Sequence, residues 1–522
     1  RELSYAELGR EARGLARGLV GAGVVKGARV ALLMGNRPEW ICAAFAVSLV
    51  GGVLVPVNTF ATGEERDYIL RHSDASVLLL QRSLLEHAFL EELLQDHADL
   101  FEGRQGSLRC TALPQLRSVF CLGLDALCGG VQPWDDLLAL GHDVPDELID
   151  ATSSEVRPSD DALIIYTSGT TAHPKGILHR QRTPVVQSWR FAEYMGLTDE
   201  DRVWTAQPFF WTAGIAMSLG PTLAVGACLI LQETFEPARA LELLEREKVT
   251  AAQSWIHQEK AMAEHPSAAQ RDLSCLRKVE FSSPLAPLAH IEKDEWGTHG
   301  SYGLSETFTL ASAVPWSATA ELREATSGVS LPGMRFRIVD PETGRTLPPG
   351  SKGEIAVKGV TLMRGYYKVE PEHYLDEDGY FHTQDEGFHD ADGYLHWSGR
   401  LSNLIKTGGA NVSPLEIEAA LDKHPGLRMA QAVGVRHRSL GEAIVLCAVR
   451  AAGSKVDEDE IRGFLRSKVA TYKVPKRVLF FEADELHYTG NQKVQLGPLR
   501  EAALRRLAEE GAQIEGHRYG PA

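Results

Sequence analysis

Over residues 4–57 the apolar positions alternate between two periods. From Ser4 to Ala22 they recur at helical spacing, whereas Arg29-Val-Ala-Leu-Leu-Met34 is a short unbroken run that reads as a buried strand. The pair then repeats, with Pro38 to Val50 as a helix and Val53-Leu-Val-Pro-Val57 as a strand. Such alternation predicts parallel strands joined by crossover helices. The longest apolar stretch, Trp40 to Val57, is broken by Gly51-Gly52 and closed by Pro56. It predicts a buried helix turning into a strand, because a membrane span needs about 20 unbroken apolar residues.

The texture changes further along. From about Gln81 to Pro158 the pattern is irregular and punctuated by Cys, Gly and Pro, which predicts peripheral helices and loops. Between Gly328 and Trp397, strand-like pieces such as Arg335-Phe-Arg-Ile-Val339 and Glu354-Ile-Ala-Val-Lys358 are separated by Asp-Gly, Thr-Gly and Pro-Pro-Gly turns, predicting a small β-rich subdomain. Beyond Arg400 come a Gly-Gly turn, a helix from Pro414 to Leu421, strands near Gln431–Val435 and Ala443–Val449, and a helix from Glu458 to Lys468. That is an α+β unit of a size that folds alone. The predicted fold class is therefore α/β: a large N-terminal domain of parallel-rich sheets with flanking helices and a β-rich subdomain, followed by a small α+β C-terminal domain.

Composition narrows the function classes. With 522 residues the chain exceeds one ordinary core, and 44% hydrophobic with 24% charged residues is a globular balance. A net charge of −16 argues against a nucleic-acid partner, since phosphate backbones call for a basic surface. The seven cysteines (Cys42, Cys110, Cys121, Cys128, Cys228, Cys275, Cys447) are odd in number and form no CxxC pair. They read as reduced thiols of a cytoplasmic protein, neither a disulfide framework nor a zinc site. The chain begins at Arg1 and is silent on any targeting segment.

The sharpest chemical feature is Tyr166-Thr-Ser-Gly-Thr-Thr-Ala-His-Pro-Lys-Gly176, directly after the strand-like Ala162-Leu-Ile-Ile165. Thr167, Ser168, Thr170 and Thr171, the permissive Gly169 and Lys175 can turn hydroxyls, backbone N–H groups and a charge towards phosphate oxygens. It is not a Walker loop, because Pro174 precedes the lysine. Alone, the segment reads either as a phosphate cradle or as a solvated Ser/Thr-rich turn.

In company it resembles the signature loop of the adenylate-forming superfamily: acyl- and aryl-CoA synthetases, peptide-synthetase adenylation domains and firefly-type luciferases. Tyr302-Gly-Leu-Ser-Glu306 is similar to that family's Tyr-Gly-x-Ser/Thr-Glu motif. Pro332 to Val339, Gly353-Glu-Ile355 and Gly365-Tyr-Tyr367 are similar to its mid-chain strands. Thr383-Gln-Asp385 stands where the family has Thr-Gly-Asp. Gly399-Arg-Leu-Ser402 through Glu418 resembles the hinge segment, and Leu486 to Lys493 the C-terminal lysine loop. Six segments in order cover nearly the whole chain, and the closest likeness is to fatty-acid or aryl-acid CoA ligases.

The resemblance implies an ATP-dependent carboxylic acid:CoA ligase working through an acyl-adenylate, with ATP, Mg²⁺ and CoA as its cofactors. It implies adenine stacked on Tyr302 beside Gly303, with Ser282-Ser283-Pro284 opposite, and Ser305 on the α-phosphate. Glu306 would hold Mg²⁺, a hard cation that prefers carboxylate and phosphate oxygens. Asp385 would accept from the ribose hydroxyls and Arg400 would bind ribose or phosphate. Lys493 would stabilise the charge of adenylation; with Glu306 and Thr171 it completes the implied catalytic set. The domains implied are 1–401 and a mobile 402–522 pivoting at Ser402, with Gly408 and Gly409 lining the CoA tunnel in the second step. A carrier protein as alternative acceptor, a non-catalytic nucleotide- or acyl-binding relative and a homodimeric assembly stay open.

The acyl pocket implied by the resemblance comprises Phe210, Trp211, Thr212, Gly214, Trp255, Ser301 and Gly303. Small residues there (Ala213, Gly214, Gly300, Ser301, Gly303) are read as leaving space and the tryptophans as apolar walls, so a bulky or elongated apolar acid is expected. The chain departs from the family at Ala172, Gln384, Ser402, His487 and Gln492. A glutamine at a position demanding positive φ would be strained by roughly 1 kcal/mol or more, so altered loop geometry is expected there.

Overall fold

The computed structural model describes residues 1–100, 108–167, 174–401, 404–422, 424–451, 453–482, 485 and 496–520, with backbone alone for Arg400. The first helix, Tyr5–Gly21, starts where Ser4 and Glu7 form a capping box and packs one apolar stripe (Ala12, Leu15, Ala16, Leu19) inward. The strands Arg29–Leu33 and Val53–Pro56 are buried almost throughout, as parallel strands covered on both faces must be. Between them runs the helix Pro38–Leu49, with proline in its first turn.

These strands belong to an eight-stranded sheet. Six neighbouring strands are parallel: Asp161–Thr167, Val53–Pro56, Arg29–Leu33, Val77–Gln81, Ser118–Leu122 and Val131–Pro133. Lys175–Arg180 and then Gly365–Tyr366 extend the sheet through antiparallel pairings. One core, around Leu32, Trp40 and Phe120, fills one face; another, around Leu78, Leu80 and Phe89, fills the other.

The expectation of peripheral helices and loops for Gln81–Pro158 needs correction. That segment supplies Ser118–Leu122 and Val131–Pro133 to the main sheet, alongside helices such as Phe89–Asp96. The β-rich subdomain is a four-stranded antiparallel sheet of Met334–Val339, Gly353–Gly359, Phe381–His389 and Leu395–Arg400.

The C-terminal unit is smaller. Its five-stranded sheet is dominated by the pairing of Leu427–His437 with Gly441–Arg450. The helices Pro414–Leu421 and Glu458–Arg466 share one core, and the helix Leu496–Glu509 contributes to the other. Its first hairpin, Ile405–Thr407 with Ala410–Val412, turns on Gly408 and Gly409 alone. Both have positive φ (+55° and +84°), as a two-residue turn matched to strand twist requires. No helix among the described residues is long and apolar enough to cross a membrane.

Candidate active site

The parallel strands Val53–Pro56 and Asp161–Thr167 end side by side, and ligands of open α/β sheets bind outside such carboxyl ends. A cleft lies there, bounded by Thr167, Trp211, Thr212, Ser305 and, from the C-terminal unit, Gly409 and Lys473. Thr167 ends its strand and faces Lys175 across the antiparallel ladder. The Lys175 ammonium stands 4.8 Å above the Tyr366 ring, a cation–π contact that fixes its direction. Ser168, Gly169, Thr170, Thr171 and Ala172 lie outside the described residues, as do Ser402, His487, Gln492 and Lys493.

Ser305 and Glu306 form a single turn of 3-10 helix after the strand Ser301–Leu304. The Ser305 hydroxyl is 3.5 Å from Thr212 Oγ1. Its carbonyl accepts from His179 Nε2 at 2.9 Å. Burial pushes His179 down to about 3, so the imidazole is neutral and acts as a fixed donor. Glu306 Oε1 accepts from the Tyr366 hydroxyl at 2.6 Å. Burial first, and then the charge of Glu306, hold the Tyr366 proton well beyond its ordinary range.

The Tyr302 ring is buried edge-on to Phe336, and its hydroxyl donates to Asp385 Oδ2 at 2.8 Å. Asp385 is itself buried, and the backbone of Arg400 is its register partner on the next strand. The backbones of the two residues implied for ribose therefore share one rung of a sheet. Gln384, just before Asp385, has φ +57°, so the expected glutamine in a left-handed position is present. Ser283 donates to Glu259 Oε2 at 2.6 Å, and Glu259 Oε1 accepts from Ser254 at 2.9 Å. Burial raises the Glu259 pKa above the ordinary carboxylate range.

Phe210 and Trp211 lie edge-on to each other with ring centres 5.2 Å apart, and Phe60 meets both. Trp255 caps the helix Ile256–Ala263, and an ideal Cβ on Gly409 would sit 3.1 Å from its ring. Ser301 instead lines a neighbouring cavity with Ser282, His299 and Trp397. The reading of the small residues as pocket space also needs correction at three glycines. A Cβ would lie 2.1 Å from the Pro208 carbonyl oxygen at Gly214 and 1.7 Å from that of Thr309 at Gly303. At Gly300 it would meet Arg323 backbone at 2.9 Å. These glycines permit close approach of another backbone strand, and their spare volume is already filled.

The sequence reading assigned no role to Tyr366, His179, Glu259 or Lys473. Tyr366 carried the one usable signal, since it lies within Gly365-Tyr-Tyr367. His179 and Lys473 act through partners distant in sequence, and Glu259 links nearby Ser254 to Ser283.

Comparison with known proteins finds relatives over nearly the whole chain. Residues 1–367 match the family profile described as AMP-binding enzyme, and residues 416–493 that of the AMP-binding enzyme C-terminal domain. Feruloyl-CoA synthase of an Amycolatopsis species is 33% identical over 508 residues, covering 95% of this chain and 93% of that protein. Indoleacetate–CoA ligase of Aromatoleum aromaticum is 30% identical over 515 residues, covering 98% and 95%. Among solved structures, the amide bond synthetase McbA from Marinactinospora thermotolerans superposes with a TM-score of 0.76 at 26% identity, covering 96% and 95%. With both profiles matched in order on the fold those relatives share, the chain belongs to the AMP-binding enzyme family.

Proposed function

We propose that this protein is an ATP-dependent carboxylic acid:CoA ligase. The acid's carboxylate attacks the α-phosphorus of ATP, pyrophosphate leaves, and the acyl-AMP formed is attacked by the CoA thiol to give acyl-CoA and AMP. A free carboxylate is a poor electrophile because oxide would have to leave; the mixed anhydride with AMP removes that obstacle. The observation that carries the reading is the meeting of Thr167, Thr212, Ser305 and Trp211 in one cleft, with the Gly409 hairpin at its rim. The named CoA ligases similar over nearly the whole chain support it.

In this reading Lys175 and the loop Ser168–Thr171 bind the phosphates and Ser305 bonds the α-phosphate. Tyr302 and Ser283 flank adenine, while Asp385 and Arg400 hold ribose. Glu306 suits Mg²⁺: it is a partly buried carboxylate anchored by Tyr366 and follows Ser305 in the chain, and a hard cation takes such oxygens together with phosphate and water. Bound there, Mg²⁺ would offset phosphate charge. Lys493 serves adenylation, Gly408 and Gly409 serve thiol transfer, and the chain divides at Ser402 into domains 1–401 and 402–522. Phe210, Trp211, Thr212 and Trp255 wall the acyl group, which favours a bulky or elongated apolar acid. The seven free thiols support a cytoplasmic setting.

The test is pyrophosphate release from ATP and Mg²⁺ over a panel of aryl, fatty and polycyclic acids, with CoA, a phosphopantetheinylated carrier protein or an amine as acceptor. Acid-dependent release with acyl-CoA identified by mass spectrometry supports the proposal. Acid-dependent release with acyl transfer only to carrier protein or amine replaces CoA as acceptor. Bound ATP without release for any acid refutes the ligase reading.

A further inference from the structure

We propose that Glu65 and Lys473 are a positioning pair that holds the C-terminal unit over the cleft for the thiol-transfer half of the reaction. The inference rests on the ligase reading above. Lys473 belongs to the turn Thr471–Lys473 of the C-terminal unit and is 3% exposed. Its ammonium lies 2.5 Å from Glu65 Oε1, on the helix Gly63–His72 of the N-terminal unit, and 2.9 Å from Glu416 Oε2 on its own unit. Burial alone would lower the Lys473 pKa. The adjacent Tyr472 hydroxyl and the carboxylates of Glu416 and Glu65 more than offset it, so the charge is kept.

The Glu65 side chain is also held from its own helix, by a contact that does not involve Lys473. Its Oε2 accepts from the Thr62 backbone N–H at 2.9 Å in a capping box, leaving Oε1 aimed across the interface. Two neighbouring contacts belong to the same arrangement: Tyr472 meets Trp211 edge-on at 5.9 Å, and Gly409 packs on Trp255. The pair therefore closes the interface at which the Gly408–Gly409 hairpin reaches the cleft. Glu416 travels with Lys473 in any movement of the C-terminal unit, but Glu65 stays behind. A dry ammonium is stable only while its carboxylates surround it, so the Glu65 contact favours this arrangement over others.

The test uses the whole enzyme. Glu65→Gln removes the charge and keeps the cap, because glutamine serves at that helix position. Lys473→Met and the double variant complete a cycle. Fluorophores on the exposed Cys275 and on Arg505→Cys, in a Cys228→Ser, Cys128→Ser background, report the distance between the units. In Glu65→Gln that distance distribution shifts and broadens. Acyl-CoA formation from isolated acyl-adenylate of the acid found in the pyrophosphate screen slows about tenfold or more, as for loss of one buried partner. Pyrophosphate formation in the first half-reaction is unchanged, and the double variant is no slower than Lys473→Met. An unchanged distance, or equal slowing of both half-reactions, overturns the proposal. Were no acid to release pyrophosphate from the unmodified enzyme, the ligase reading would fall, and the distance measurement would still decide whether this pair joins the two units.

Discussion

Replacing Gln384 by glycine should stabilise the protein without altering its activity. Gln384 has φ +57°, where a Cβ crowds the following carbonyl oxygen at a cost of roughly 1–2 kcal/mol. Glycine escapes that cost but returns roughly 0.5–1 kcal/mol through the greater freedom of the unfolded chain. The net gain is about 0.5–1 kcal/mol. Residue 384 holds the segment through its own backbone alone, so these bonds survive the change. The Gln384 N–H donates to Glu354 Oε1 at 2.8 Å, and its carbonyl accepts from Leu401 at 2.8 Å. The Asp385 N–H donates to Thr383 Oγ1 at 3.1 Å. The glutamine side chain is exposed. A cooperative unit of roughly 400 residues has an unfolding entropy near ~0.8 kcal/mol/K, so the midpoint should rise by about 1 °C, within reach of replicate calorimetry. Gln384→Ala isolates the side chain from the Cβ and should stay within about 0.5 kcal/mol of the parent. A fall in midpoint for the glycine variant, or the whole gain appearing already in the alanine variant, would refute the strain argument.

Tyr366→Phe removes the 2.6 Å bond that orients Glu306, so the Mg²⁺ concentration for half-maximal pyrophosphate release should rise about tenfold, as expected for a lost bond to a charged group. An unchanged Mg²⁺ titration would show that Glu306 needs no such support. Burial lowers His179 from its ordinary 6.5 to about 3, so between those values the unfolded chain binds the extra proton. The stability tied to this group is complete above pH 6.5 and is lost as pH falls towards 3, at up to ~1.4 kcal/mol per pH unit. His179→Gln should flatten that stretch of the stability–pH curve measured by denaturant titration, and an unchanged slope assigns it to other groups. Lys493→Ala should abolish acyl-adenylate formation while sparing thioester formation from added acyl-adenylate; adenylation at the parental rate would remove the lysine from its assigned role.

How far the sequence revealed the fold depended on how local the causes were. The helix Tyr5–Gly21 begins at Ser4 because Ser4 and Glu7 cap it, and both letters stand beside the apolar stripe they introduce. The strands Ser118–Leu122 and Val131–Pro133 escaped notice for the opposite reason. Each is short and carries no period-two alternation, and each is a strand because an already built sheet offers an edge: Val77–Gln81 for the first, and the first for the second. The glycines divide in the same way. Gly408 and Gly409 were assigned to the CoA tunnel by resemblance alone, and the fold adds a separate reason for glycine there, positive φ in a two-residue hairpin. Gly214 and Gly303 were read as open volume, because nothing in the sequence announces the Pro208 and Thr309 carbonyls pressed against them.

The site shows a sharper version of that contrast. Glu306 and Asp385 could be put forward from the sequence because each stands inside a short segment that resembles a family motif. Their supports could not: Tyr366 reaches Glu306 from 60 residues away, and Lys473 reaches Glu65 from 408. Glu65 illustrates why no pattern search would have found this. In the fold it is the fourth residue of a helix cap, Thr62-Gly-Glu-Glu65, and the cap by itself would account for its presence. Only the folded chain shows that the cap uses one carboxylate oxygen and leaves the other pointed at a lysine of a different unit. A residue with a sufficient local explanation can thus carry a second, long-range one, and the two separate experimentally because glutamine satisfies the cap and cannot satisfy the ammonium.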